Sequence, residues 1–111
     1  MSASSTARIR CAEPGRYAKF LTERFARSAR TEWNKQQGRG SLMFAWGKEV
    51  EVDMIAGDGV LLLHLECPVQ QVEQLEAIIG IAVVEIGDKE ELHVQWRRAG
   101  GTDGTRWTAR A

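Results

Sequence analysis

Cysteine, proline and histidine are all scarce in this chain, at two of each among 111 residues. Cys11 and Cys67 belong to no CxxC pair, which removes a cysteine-built zinc site. They join in a disulfide only if the strands that carry them are neighbours, and the compartment argument favours reduced thiols in a cytoplasm. No apolar run approaches the ~20 residues of a membrane-spanning helix. Residues 1–6 are small and polar, without the hydrophobic centre of a secretion signal. Net charge is missing as well, since 15 Lys+Arg balance 15 Asp+Glu, and a neutral total argues against a nucleic-acid binder. No nucleophile motif, phosphate loop or metal-ligand spacing appears. Gly57 and Gly59 flank Asp58 between two strand patterns and open no helix, so they form a turn and cradle no phosphate.

The neutral total hides a division. Residues 1–40 carry nine Lys+Arg against three Asp+Glu, residues 41–95 carry two against eleven, and residues 96–111 carry four against one. Two halves of one domain that attract each other explain this best, although a basic face for an acidic partner has the same signature.

What is present is pattern, clearest from Val60 to Trp96. Leu61, Leu63 and Leu65 alternate with Leu62, His64 and Glu66, the period of a half-buried strand. Pro68 suits a first helical turn, where its missing N–H costs nothing. Val69, Val72, Leu75, Ile79, Val83 and Ile86 recur at three- and four-residue spacing, which predicts a helix over 69–86 with one apolar stripe. Gly87 stands where a left-handed C-cap would end it. Leu92, Val94 and Trp96 alternate in a closing strand.

Earlier in the chain, residues 5–12 alternate as a strand, with Ala7, Ile9 and Cys11 on one face and Arg8 and Arg10 on the other. Pro14 starts a helix over about 15–28, with Tyr17, Phe20, Leu21 and Phe25 as its stripe. Lys19–Glu23 and Glu23–Arg27 stand at i,i+4 spacing on its charged side, each pair worth only ~0.2–0.5 kcal/mol. A weak strand around Trp33, a glycine turn at 37–40, and strands over 41–46 and 49–55 follow. Gly57-Asp58-Gly59 is a hairpin turn into the leucine-rich strand.

The order is β-α-β-β-β-β-α-β: an α+β two-layer sandwich, with about six mainly antiparallel strands and two helices on one face. Residues 1–98 make one domain, and 99–111 read as a Gly-rich flexible tail with Trp107 as its one anchor. Ala7, Ile9, Leu42, Phe44, Trp46, Val50, Val52, Leu61, Leu63, Leu65, Leu92, Val94 and Trp96 should face the helices. Arg8, Arg10, Glu49, Glu51, Asp53, His64, Glu66, His93, Gln95 and Arg97 should face away. A mixed-charge outer face suits water or cross-strand ion pairs.

Candidate contacts for a ligand or partner are few. Trp33, beside Gln36 and Gln37, can floor a small-ligand pocket between the helices and the sheet, or simply pack at the rim. Arg24 lies beside the apolar stripe of the first helix, where Glu76 or Glu85 can meet it, or it snorkels to water. His64 and His93 can be cross-strand neighbours only if their strands adjoin, and two imidazoles alone make a poor metal site. Glu90-Glu91 enter a strand on opposite faces, which disfavours an acid/base pair.

Taken in order, Ser5-Thr6-Ala7-Arg8-Ile9, Pro14-x-Arg16-Tyr17-x-x-x-Leu21, the acidic–apolar alternation from Gly47 to Asp53 and Glu90-Glu91-Leu92-x-Val94-x-Trp96 resemble the small bacterial family called domain of unknown function 2218. The resemblance spans about 5–97. It implies a stand-alone bacterial protein, and relatives fused to siderophore-interacting flavin reductases imply a link to iron handling. Family members often carry His where this chain has Arg24, and His-Leu-x-Arg-Phe where it has Ala82-Val83-Val84-Glu85-Ile86. Any role those histidines serve in relatives is absent here, and Arg24 with Glu85 suits an ion pair instead.

The leading expectation is therefore a non-catalytic cytoplasmic accessory domain without a cofactor, which binds a small molecule or protein and is linked to iron or siderophore metabolism. The alternatives are a metal-binding or enzymatic domain using His64 and His93, and nucleic-acid binding through the basic first helix. A homodimer is compatible with the charge division.

Overall fold

The computed structural model describes residues 2–45, 50–87 and 90–108. The chain runs β1 (Ser2–Arg10), α1 (Pro14–Arg24), β2 (Ala29–Asn34), β3 (Arg39–Phe44), β4 (Glu51–Ala56) and β5 (Val60–Pro68). A 3₁₀ turn (Val69–Gln71), α2 (Val72–Ile86), β6 (His93–Arg98) and β7 (Asp103–Thr108) complete it. The strands form one antiparallel sheet in the order β2-β3-β4-β5-β1-β6-β7. β2 through β5 pair in sequence order. β1 inserts between β5 and β6, where Ala7 and Ile9 are wholly buried.

Paired residues on adjacent strands share a face, and the period-two pattern sorts the sheet as the alternation requires. One inward rung crosses six strands through Trp33, Gly40, Met54, Leu63, Ala7 and Trp96. Every described residue expected to face the helices is buried. Trp46 and Glu49, assigned to opposite faces from the sequence, lie outside the described residues. α1 lies over β2–β5 and α2 over β5, β1, β6 and β7, and the two helices touch. Burial of Leu75, Ile79 and Val83 in α2 is worth about 1.5–3 kcal/mol each. That outweighs any exposed ion pair, so apolar packing holds the helix layer down.

The sheet has seven strands, one more than expected. Residues 103–108, read as part of a flexible tail, form β7, paired with β6 and packed under α2. α1 ends at Arg24, because Phe25 leaves helical geometry (φ −101°, ψ 12°) and the chain turns into β2. The Phe25 ring then meets Phe44 edge-on at 5.3 Å. The buried stripe of α1 contains Ala18 and Thr22 in place of Phe20. Thr22 tolerates burial because its hydroxyl donates to the Lys19 carbonyl at 2.6 Å, while Phe20 lies at the side of the stripe under the Arg16 guanidinium, 5.3 Å away. Val69 falls in the 3₁₀ turn and is exposed. Gly87 caps α2 at φ −80°, so its backbone is not left-handed. A side chain at 87 would instead strike Leu92 Cγ, at 2.7 Å.

Candidate functional site

The outward-facing rungs make a polar surface without a helix over it. One rung runs through Glu32, Ser41, Asp53, His64, Thr6 and Arg97. A trough of about 920 Å³ lies along this face, with Ile55 and Leu62 among its lining. His64 Nδ1 is 2.9 Å from the Thr6 hydroxyl, and Nε2 is 3.4 Å from Glu66. Glu51, Asp53 and Glu66 crowd one end. Burial first, then repulsion from Asp53 and Glu66, pushes the Glu51 carboxyl above its ordinary pKa.

The two histidines do not meet. β1 separates β5 from β6, and His64 pairs with Thr6 while His93 pairs with Thr108. A site shared by His64 and His93 is therefore ruled out by strand order. Among the described residues, no three His, Cys, Asp or Glu side chains converge as a metal cluster. Cys67 lies near the end of β5, and Cys11 just follows β1 at the far end of the β1–β5 pair. Cys67 pairs with Ala3, while the Cys11 N–H donates to Gly59. The length of β1 separates them, about 27 Å at the usual strand rise, and both are buried free thiols. Burial raises the Cys11 thiol to about 11, with Glu90 adding to the rise.

A second concavity, about 650 Å³, lies on the helix side between the start of α1 and the β2–β3 turn. Trp33 forms its inner wall, and Gly38, Gln36 and Gln37 of the turn line its rim. The ring is held by glycine: a side chain at Gly40 would sit 2.8 Å from Trp33 Cε3, so only glycine lets the indole lie over β3. Its opposite edge approaches Gly15 of α1. Two lysines from different elements, Lys19 and Lys35, reach the same cleft.

The charge pattern of α1 differs from the sequence expectation in a way that matters here. Neither Lys19–Glu23 nor Glu23–Arg27 closes to an ion pair among the described residues. Arg16 pairs with Glu13 at 3.1 Å instead, and Arg24 pairs with Glu85 of α2. Of the two carboxylates considered for Arg24, Glu85 is the partner and Glu76 is not. Arg24 is thus committed to a helix–helix contact, and the basic face offered to a nucleic acid loses two of its charges to neighbours.

Glu76, considered from the sequence only as a partner for Arg24, is held by other groups. It is fully buried in α2, and Arg98 of β6 grips it through Nε and Nη2 at 3.1 and 2.9 Å. Ser5 Oγ donates at 2.6 Å, and Thr105 donates from its backbone N–H and hydroxyl at 3.0 and 3.1 Å. Burial alone would raise this carboxyl. The hydrogen bonds from Arg98, Ser5 and Thr105 outweigh it and hold the group below the ordinary glutamate value. A signal for it existed, since Glu76 interrupts the apolar stripe between Leu75 and Ile79, where a charge needs a partner. Glu90 has a similar tying role. Both its oxygens accept from the Ala12 N–H, and one accepts from the Tyr17 hydroxyl at 3.2 Å, whereas Glu91 is exposed.

Among solved structures, the NMR structure of PA4090 from Pseudomonas aeruginosa superposes with a TM-score of 0.65. The match covers 85% of this chain and 94% of that one, at 18% sequence identity, and is a likeness of fold. No curated protein matches the chain. No described helix is long and apolar enough to cross a membrane. A family model described as an uncharacterized protein conserved in bacteria (DUF2218) matches residues 6–97, which leaves β7 beyond the matched segment. With β2 to β5, both helices, the second half of β1 and all of β6 but Arg98 inside that match, the chain belongs to this family of uncharacterised bacterial proteins.

Proposed function

We propose that the chain is a non-catalytic accessory domain of the bacterial cytoplasm that binds a small molecule in the cleft beside Trp33. The observation that carries this reading is the half-buried indole. Gly40 leaves room for it over β3, and Trp33 lines an open 650 Å³ cleft. That volume falls in the roughly 300–1,000 Å³ range of small-molecule sites, which combine an apolar wall with a few polar groups. The non-catalytic reading is supported by the placement of the histidines, neither of which lines this cleft. The resemblance to relatives joined to siderophore-interacting reductases supports a place beside iron handling.

A thermal-shift screen tests it directly, with flavin, haem and iron-loaded and iron-free siderophores as first compounds. A binder should raise the midpoint of the wild-type protein, and should perturb amide resonances of Gly15, Lys35 and Gly38 in a heteronuclear NMR spectrum. The reading fails if no compound shifts these resonances, or if every binder perturbs the open sheet face around His64 instead.

A further inference from the structure

The charges around the Trp33 cleft point to a class of ligand. Lys19 comes from the second turn of α1 and Lys35 from the β2–β3 turn, and both line the cleft. Neither has an ion pair among the described residues. Glu23, the natural i+4 partner of Lys19, leaves it unbridged. Glu13, the one carboxylate of the lining, is already paired with Arg16 at 3.1 Å. Two lysines thus line the same cleft with no carboxylate set aside for them. Trp33, in the same lining, is an indole packed against Gly40, a surface on which a flat ring stacks in an offset arrangement.

We infer that the cleft takes a planar aromatic anion, with its ring against Trp33 and its carboxylate or phosphate between Lys19 and Lys35. This rests on the binding reading given above and adds its chemistry. A side chain at Gly15 would lie against the indole edge, 3.7 Å from Trp33 Cζ2, and the Gln36 and Gln37 side chains of the lining offer amides to polar groups on the ring's edge. A carboxylate and a phosphate share this recognition, since both present a compact array of acceptor oxygens to ammonium donors.

Isosteric probes of different charge separate this inference from the reading it rests on. 2-Naphthoate and its neutral counterpart 2-naphthamide have the same ring, and adenosine monophosphate and inorganic phosphate supply the phosphate arms. Binding is followed by tryptophan fluorescence in wild type and in Trp33→Phe, and by NMR at Gly15, Lys19, Lys35 and Gly38. Naphthoate should bind about tenfold or more tightly than naphthamide, and should weaken as salt is raised. The double variant Lys19→Gln/Lys35→Gln should lose that preference while keeping the wild-type melting midpoint, because both side chains are exposed. Tighter binding of adenosine monophosphate than of naphthoate would identify a phosphate ligand, and the reverse a carboxylate. Phosphate binding as tightly as adenosine monophosphate would remove the ring from the inference. Naphthamide matching naphthoate at the cleft resonances would overturn the anion inference and leave the binding reading standing. Failure of every ring-bearing probe to reach those resonances would overturn both.

Discussion

Replacing Glu76 by Gln isolates the buried charge on which β7 depends. The carboxylate has no solvent exposure and accepts from Ser5, Arg98 and Thr105. Glutamine keeps the volume, removes the charge, and turns one acceptor into a donor facing donors. Removing one partner of a buried ion pair costs about 3–5 kcal/mol. Arg98 keeps 31% of its side chain exposed, so its orphaned guanidinium rehydrates in part, and the expected loss lies at the lower end, about 3 kcal/mol. For a domain of this size that lowers the midpoint by roughly 10–15 °C. Urea denaturation at neutral pH measures the loss. Hydrogen exchange shows where it falls, because residues 103–108 should lose protection well before the amides of β1 and β5. The pH dependence has a definite sign. A carboxyl whose native pKa is depressed stabilises the fold above its unfolded value of about 4.3, and that contribution disappears as pH falls through the lower native value. Wild type and Glu76→Gln should therefore differ most near neutrality and converge in acid. A loss under about 1 kcal/mol, or a gap that persists unchanged into acid, would refute the assignment of Glu76 as an ionised buried lock.

Other outcomes follow from single contacts. Gly80→Ala places a methyl group 2.5 Å from Trp107 Cδ1, so it should destabilise by about 1–3 kcal/mol in wild type and by clearly less in a Trp107→Leu background, both read by denaturant melts. Tyr17 is the one tyrosine of the chain, and burial followed by its contact with the Glu90 carboxylate raises its hydroxyl. In Glu90→Gln its spectrophotometric titration should move back toward the ordinary value; an unmoved titration would show that Glu90 does not hold it. Because burial lifts the Cys11 thiol to about 11, it should react with a water-soluble disulfide reagent far more slowly than an exposed cysteine at pH 8. Unhindered labelling of Cys11 in the folded Cys67→Ser protein, by mass spectrometry, would contradict its burial.

Alternation made most of the sheet legible. Leu61, Leu63, Leu65, Val94 and Trp96 announce their face because a strand with one wet side must alternate. β7 escaped because Asp103-Gly104-Thr105-Arg106-Trp107-Thr108 holds only one large apolar residue. Backbone pairing with β6 and hydrogen bonds to Glu76 keep it in place, and neither leaves a periodic trace. Phe20 and Thr22 misled for a related reason. Hydrophobicity suggested which side of α1 faces inward, but a threonine that bonds its own helix backbone can sit on that side. For Trp33 the sequence offered both a pocket floor and plain rim packing, and the indole lines a cleft beside Gln36 and Gln37. The lysines that give the cleft its charge were not legible, since Lys19 looked committed to Glu23 by spacing, and Lys35 reaches it only once the β2–β3 turn is folded.

The placement of β1 has a consequence for assembly. Arg10 meets Val60 and Ser5 meets Arg98, so an early strand is the shared seam between a four-strand ribbon and a two-strand ribbon that are not bonded to each other. Until that seam is filled, β5 and β6 both present bare edges, which are templates for mispairing with another chain. Contacts this distant along the chain also make closure slow. A synthetic peptide with the β1 sequence, added to a chain that lacks it, would be expected to knit the two ribbons into one sheet.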